Sequence, residues 1–218
     1  MIQNLYRIQK AILKSFKHSP NKPTIMKQFS HFLLIFYLAL FTTIVFSQEM
    51  EQSVFVTGNT WNTTDTKVLS AISEESKLVA KPTVLLLGNA APTTEIEKSI
   101  DKQLSVMSNL GNDFIFIPGN KEWANGYKGV SDIEKYIRKK SKAKFLPDDA
   151  EPIKHHDLGE NVELITVDSQ WFLENWDNHI YINEDSEIQN RTLFFLEFEN
   201  RKKKAQGKII LVAMHHPI

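Results

Sequence analysis

The chain has 218 residues, with 26 basic side chains, 26 acidic side chains and no cysteine. The lack of cysteine excludes disulfides, thiolate metal ligands and a cysteine nucleophile, so oxygen and imidazole ligands would have to hold any metal. Six basic residues and no acidic ones lie in residues 1–47, which leaves 20 basic against 26 acidic residues and a net charge of −6 for the remainder. Such an acidic domain lacks the basic footprint of non-specific nucleic-acid binding, so we expect no nucleic-acid partner.

The N-terminal segment has the pattern of a secretory signal. Lys27 is followed by an apolar run from Phe32 to Phe46 and then by Ser47, a small residue suited to a cleavage site. The apolar run is shorter than the roughly twenty residues that a membrane-spanning helix needs. We therefore predict a secreted, periplasmic or cell-envelope protein with no transmembrane segment beyond the signal peptide, and an uncleaved membrane anchor is the alternative.

This pattern divides the chain into three predicted parts. Residues 26–47 are the signal peptide, and residues 48–218 form one mature domain. Residues 1–25 fit neither part and are predicted to be an upstream extension that precedes the true start at Met26.

From Glu51 onward, strand and helix signals alternate along the chain. The predicted strands are apolar runs at 54–57, 84–87, 114–117, 162–168 and 209–214. The predicted helices cover 65–78, 94–111, 131–142 and 186–205, and two of them open with a capping box, Thr94 with Glu97 and Ser131 with Glu134. Residues 145–159 are predicted to form a loop and 169–185 an irregular segment. This alternation predicts an α/β fold with right-handed crossovers and layers of sheet and helix.

Three of the predicted strands end in Gly-Asn, and the last one ends in His-His-Pro. One Gly-Asn pair is a common turn, but three at matched strand ends indicate a site. Ligands bind beyond the carboxyl ends of the strands in an open α/β sheet. The sequence therefore predicts that one edge of the sheet carries Asn59, Asn89, Asn120 and His215.

These motifs resemble, in order and spacing, those of the calcineurin-like metallophosphoesterases, especially a secreted bacterial branch. That family has Gly-Asp, Gly-Asp-Asn, Gly-Asn-His-Asp/Glu, a His before x-Pro, and Gly-His-x-His. The corresponding stretches here are Thr57-Gly58-Asn59, Leu87-Gly88-Asn89-Ala90, Pro118-Gly119-Asn120-Lys121-Glu122-Trp123 and Met214-His215-His216-Pro217, with Val167-Asp168-Ser169-Gln170-Trp171 also similar to that branch. The resemblance implies a sheet-and-helix sandwich of the metallophosphoesterase type over residues 54–218. The family's Gly-His-x-His motif does not occur in this chain before Ile218, so we expect a domain that is truncated at its C-terminus.

The resemblance also implies a chemistry, the hydrolysis of phosphoesters by two divalent metal ions such as Mn, Fe or Zn. It places metal ligands at Asn59, Asn89, Asn120 and His215, with Asn89 at the bridging position. It places the catalytic histidine at Lys121. The expected ligand is a phosphoester or another phosphate-bearing molecule, and the resemblance does not indicate the oligomeric state.

Three of these positions depart from the family pattern. Asn59 and Asn89 stand where aspartate is expected, and an amide oxygen brings no charge to a pair of cations and offers only one bridging atom. Lys121 carries an ammonium that metal ions would repel and that has no acceptor for acid–base work. We therefore predict that the chain does not hold an ordinary two-metal centre and that its phosphoesterase activity is weak or absent.

Two further interpretations remain open. The three substitutions make a metal-free site more positive by about three charges, so Lys121 and the strand-end amides could bind phosphate directly in a non-catalytic binding or scaffold module. The chain could also be a fragment whose missing part supplies the remaining metal ligands.

Several other residues that resemble catalytic or metal-binding groups are expected to have structural roles. Glu122 is predicted to fix the loop after the third strand rather than to act as a base. The His155-His156-Asp157 run is predicted to be a solvated loop, and His216 to pack or face solvent. Packing is also the expected role of several aromatic residues, namely Trp123, Trp171, Phe172 and Trp176.

Overall fold

The structure is a computed structural model that describes residues 50, 52–61, 66–92, 94–149, 151–174 and 187–217, together with Leu33. The chain divides into two compact units, Met1–Glu49 and Met50–Ile218, and all elements named below belong to the second. Apart from Leu33, the predicted signal peptide and upstream extension lie outside the described residues. Among the described residues, no helix has the length and apolar character needed to cross a membrane.

The first sheet has four parallel strands in the order β1-β2-β3-β4. The strands are β1 (Ser53–Thr57), β2 (Pro82–Leu87), β3 (Phe114–Ile117) and β4 (Lys144–Phe145). Thr57 pairs with Leu86, and Leu87 pairs with Ile117, so the first three strands end almost level. This register brings the loops that follow them to one edge of the sheet, as predicted.

The second sheet has three strands, β5 (Ile153–Asp157), β6 (Val162–Val167) and β7 (Ile209–Ala213), in that order. β5 is antiparallel to β6, and β7 is parallel to β6. Two expectations are corrected here. The strand before His215 belongs to a different sheet from the three Gly-Asn strands, and the His155-His156-Asp157 run lies in a strand rather than in a solvated loop.

The two sheets share an apolar layer, and helices cover the outside of both. Leu85, Ile115 and Ile117 of the first sheet form one buried cluster with Leu164 and Ala213 of the second. The alternate faces of the strands join a larger cluster with the helices, because successive strand side chains point to opposite faces. These helices are α1 (Lys67–Ser76), α2 (Ile96–Val106), α3 (Gly126–Lys140), α4 (Ser169–Leu173) and α5 (Arg191–Lys204). The α/β layered class that the sequence predicts is therefore present.

The helix starts differ from the predicted ones. No side chain caps α2, which begins at Ile96, and α3 begins at Gly126, so Ser131 lies inside the helix rather than at a capping box. Helix α5 begins at Arg191, where the Asn190 side chain accepts a hydrogen bond from the Leu193 N–H at 2.9 Å. Its predicted start at residue 186 lies outside the described residues.

Candidate functional site

The loops after β1 and β2 turn through a left-handed backbone at Asn59 and Asn89. Their φ angles are 57° and 56°, a conformation that asparagine tolerates better than most residues. The Asn59 N–H donates to Gly88 O at 3.0 Å, and the Trp61 N–H donates to Asn89 O at 3.0 Å. The two loops are therefore held side by side, and the asparagines suit the turns themselves.

Gly88 allows three strand-end loops to meet at one point. Its φ is +74°, and a Cβ at this position would lie 2.5 Å from His215 Nδ1 and 2.9 Å from the Cα of Gly119. Any side chain here would displace the imidazole or the loop after β3. The glycine of the Gly88-Asn89 pair is thus needed for the assembly of the site.

His215 reaches this point from the second sheet. Its Nδ1 lies 2.8 Å from Leu87 O, and because a carbonyl only accepts, Nδ1 must carry a proton. Its Nε2 lies 3.0 Å from Asn120 Oδ1. Two states satisfy this contact: an imidazolium donates to the amide oxygen, or a neutral ring accepts from the amide nitrogen once the amide turns over. His215 and Asn120 therefore form an adjustable polar pair that is open to solvent on the Asn120 side.

Lys121 belongs to the loop after β3 and contacts the loops after β1 and β2. Its backbone N–H donates to Asn89 Oδ1 at 3.0 Å, and its ammonium Nζ lies 4.0 Å from the centre of the Trp61 ring. A cation over an indole face is attracted by the ring quadrupole. Trp61 was not predicted as a site residue, because nothing in its local sequence distinguishes it from an ordinary loop aromatic.

Glu122 is fully buried and binds the loop backbones. Its carboxylate accepts hydrogen bonds from the N–H groups of Asn89, Ala90, Ala91 and Gly119 at 2.7–3.0 Å. Burial raises the pKa of Glu122, and the backbone hydrogen bonds lower it in part. The predicted loop-fixing role of Glu122 is confirmed, and its burial leaves the carboxylate with no access to a bound ligand.

Behind Glu122 lies a second buried carboxylate, Asp168. Both of its oxygens accept from Trp123 Nε1–H, at 3.1 and 2.8 Å, and Oδ1 also accepts from the Trp171 N–H at 3.0 Å. Complete burial raises the pKa of Asp168 to about 7, and the charge of nearby Glu122 adds to the rise. Trp123 and Trp171 are buried as predicted, whereas the support that Asp168 gives them was not predicted.

The last loop is held by Ser169 at the start of α4. The His216 N–H donates to Ser169 Oγ at 2.9 Å, and the same hydroxyl lies 3.1 Å from His216 Nδ1. Burial and the neighbouring His215 lower the pKa of His216, which favours its neutral form. His216 is half-buried and packs edge-on against the His215 ring, with the two ring centroids 4.5 Å apart, in agreement with its predicted structural role.

The predicted site residues therefore come together with different roles. Asn89 and Lys121 are joined by one hydrogen bond and His215 and Asn120 by another, while Asn59 joins the group through its backbone. This set of donor atoms does not fit two divalent metal ions. Its asparagine oxygens carry no charge, and Asn89 Oδ1 already accepts from Lys121. In the described part of the chain, no group of three or more His, Asp or Glu side chains has the arrangement of a metal site.

Comparison with known proteins gives no match. No protein-family model matches the chain, and no curated protein or solved structure is significantly similar to it. The residues at the strand ends are therefore the basis on which a function is assigned.

Proposed function

We propose that this domain binds a phosphate or phosphoester anion at the strand ends, without metal ions and without hydrolysing it, on a scaffold of the metallophosphoesterase type. The observation that carries this proposal is the position of Lys121. Its backbone N–H donates to Asn89 Oδ1, its ammonium lies over the Trp61 ring, and its neighbour Glu122 is turned inward to bind four backbone N–H groups.

The balance of charge supports an anion rather than a cation. Asn59, Asn89 and Asn120 are neutral, so the positive charge among these residues comes from Lys121. An oxyanion accepts hydrogen bonds from ammonium, imidazole and amide N–H groups alike, and charge-assisted bonds of this kind are stronger than neutral ones. A divalent cation would meet the ammonium of Lys121 without a compensating carboxylate.

A second candidate function is weak phosphoester hydrolysis. It is favoured by His215, whose Nδ1–H donates to a backbone carbonyl and so orients Nε2 outward, as metal-ligating histidines usually do. If the chain is a fragment, ligands supplied by a following segment would complete such a site. Both proposals are compatible with the predicted secreted or cell-envelope location, where free phosphates and phosphoesters are found.

Calorimetric titration of the mature chain with inorganic phosphate, in the presence of a chelator, tests the proposal. We expect a dissociation constant of about 1 mM or tighter. Lys121→Gln should weaken phosphate binding by about tenfold or more, the equivalent of one charge-assisted hydrogen bond. Lys135→Gln, at an exposed position on α3, is the matched control and should leave binding unchanged. The proposal is overturned if phosphate fails to bind at millimolar concentration, or if both variants bind as the unmodified chain does.

A further inference from the structure

A cavity of about 300 Å³ lies between the edge strands of the two sheets, away from the strand-end residues described above. Strand β4 lines one side, strand β5 another, and the C-terminal half of α3 closes it. None of the strand-end residues lines it. Its volume is at the lower end of the roughly 300–1,000 Å³ typical of ligand pockets, which suits a small molecule.

Most of the charged groups on the cavity wall neutralise one another. Arg138 forms ion pairs with Glu134 and with Asp149, the latter at 2.9 Å. Lys154 lies 2.8 Å from Asp148. Because Arg138 is paired with two carboxylates and Lys154 with one, these groups together carry one net negative charge.

Lys144 is different, because its partner is an imidazole rather than a carboxylate. Its Nζ lies 3.0 Å from His156 Nε2 and 3.4 Å from His156 Nδ1, and an ammonium can only donate, so one ring nitrogen accepts and His156 is neutral. Burial and the neighbouring Lys144 lower the pKa of His156, which keeps the ring neutral. Among the described residues, no carboxylate lies within ion-pair distance of Lys144. Lys144 is therefore a half-buried cation whose contact in the described chain is an imidazole, while the carboxylates of Glu134 and Asp148 lie elsewhere on the cavity wall.

The wall next to Lys144 is apolar. Ala143, Phe145 and Leu146 are all buried residues that line the cavity. A ligand that fits both features carries one negative charge and a small apolar group. A phosphate dianion fits less well, because Glu134 and Asp148 on the same wall would repel its second charge.

We propose that this cavity is a second binding site, which takes a small organic monocarboxylate. The carboxylate pairs with Lys144 beside His156, and the apolar part of the ligand lies along Ala143 and Leu146. The site is independent of the strand-end anion site, since the two share no residue and differ in the charge they prefer.

Benzoate is a suitable probe, titrated into the full chain with a chelator and saturating phosphate present so that the strand-end site is occupied. We expect binding with a dissociation constant of about 1 mM or tighter, and a benzoate-dependent shift of the His156 ring resonances in NMR spectra. Lys144→Gln should weaken benzoate binding by about tenfold, whereas Lys139→Gln, at an exposed position on α3, should not change it.

Lys144→Arg separates the loss of charge from a loss of packing, because it keeps the positive charge next to His156. Benzoate binding by this variant within a few fold of the unmodified chain supports the proposal. The proposal is overturned if benzoate does not bind, if saturating benzoate leaves the His156 resonances unmoved, or if Lys144→Arg binds as weakly as Lys144→Gln. Phosphate binding at the strand ends serves as an internal check and should be the same in all three variants.

Discussion

His215 donates its Nδ1–H to the backbone carbonyl of Leu87 at 2.8 Å, although 128 residues separate the two along the chain. This one hydrogen bond connects the loop after β7 of the second sheet to the end of β2, an inner strand of the first. It also decides which imidazole nitrogen faces Asn120 and the solvent. The site is therefore built by two sheets together, and its geometry depends on the close approach that Gly88 allows.

The close approach of Gly88 can be tested with a matched pair of glycines. Gly88 and Gly111 both have positive φ angles, but a Cβ at Gly111 would meet no atom within 4 Å, whereas one at Gly88 would overlap His215. We expect Gly111→Ala to cost about 1 kcal/mol from backbone strain alone. Gly88→Ala should cost roughly 1–3 kcal/mol more, because it also displaces a packed side chain. Urea unfolding of both variants measures the difference, and equal losses would contradict the predicted contact.

The internal carboxylate of Glu122 gives a second prediction. Glu122→Gln keeps the shape but replaces one acceptor oxygen by an NH₂ group that faces backbone N–H donors. We expect a loss of roughly 3 kcal/mol in the free energy of unfolding, since charge-assisted hydrogen bonds are lost and buried donors are left unpaired. Glu160→Gln, at an exposed position, should change stability by less than about 0.5 kcal/mol. A Glu122→Gln chain as stable as the control would mean that the cost of burying this charge equals the value of its four hydrogen bonds.

Asp168 should make the stability of the domain depend on pH. Burial raises its pKa from 3.8 to about 7, so between these values the folded state binds more protons than the unfolded state. Stability from this group is fully present below about pH 4 and is lost as pH rises through about 7. At 1.36 kcal/mol per pKa unit, the loss is on the order of 4 kcal/mol.

Asp168→Asn removes the titrating group and should flatten that part of the profile. Urea unfolding of both chains between pH 4 and pH 8 gives the comparison, with Trp123 as a neighbouring fluorescent reporter. Identical pH profiles for the two chains would show that Asp168 is not the group that titrates. Glu122, whose pKa is also raised by burial, should leave a residual slope of the same sign in the variant.

The sequence predicts well those parts of the site whose positions depend only on where the strands end. Continuous apolar runs followed by Gly-Asn locate the ends of β1, β2 and β3 to within a residue, because parallel strands typically have such runs, although only β2 and β3 are buried. The capping boxes failed because Ser-x-x-Glu also occurs inside helices, as at Ser131 in α3. Strand β5 was missed because its histidines and lysine gave it a polar composition, although its pairing with β6 is regular.

Contacts between residues far apart in the chain could not be predicted from the sequence. Nothing local to β7 shows that it belongs to the second sheet, or that His215 crosses to Leu87. The same is true of Trp61 beneath the Lys121 ammonium and of Asp168 behind Glu122, since each contact joins loops far apart in the chain. The motifs at the strand ends predicted which residues lie close together. They did not predict which of their atoms remain free to bind a ligand.

Introducing the residues of the metallophosphoesterase pattern should create affinity for metal. Asn59→Asp, Asn89→Asp and Lys121→His together replace one positive charge and add two negative ones at the strand ends. Aspartate tolerates the left-handed backbone of Asn59 and Asn89 about as well as asparagine, so we expect the substituted chain to fold. Calorimetry with Mn²⁺ should show binding at least tenfold tighter than in the unmodified chain. Equal affinities would contradict the view that charge at these three positions controls metal binding.

Metal-free anion binding at the strand ends is tested by a hydrolysis assay on the unmodified mature chain, with phosphomonoester and phosphodiester substrates, in the presence of Mn²⁺ and separately with a chelator. The triple-substituted chain is assayed in parallel. If the strand ends form a metal-free anion site, the unmodified chain shows no turnover that depends on metal, while its binding of phosphate persists in chelator. Turnover by the unmodified chain that requires Mn²⁺ and is abolished by the chelator would contradict that claim, and would show that the amide-rich site still works as a metal-dependent phosphoesterase.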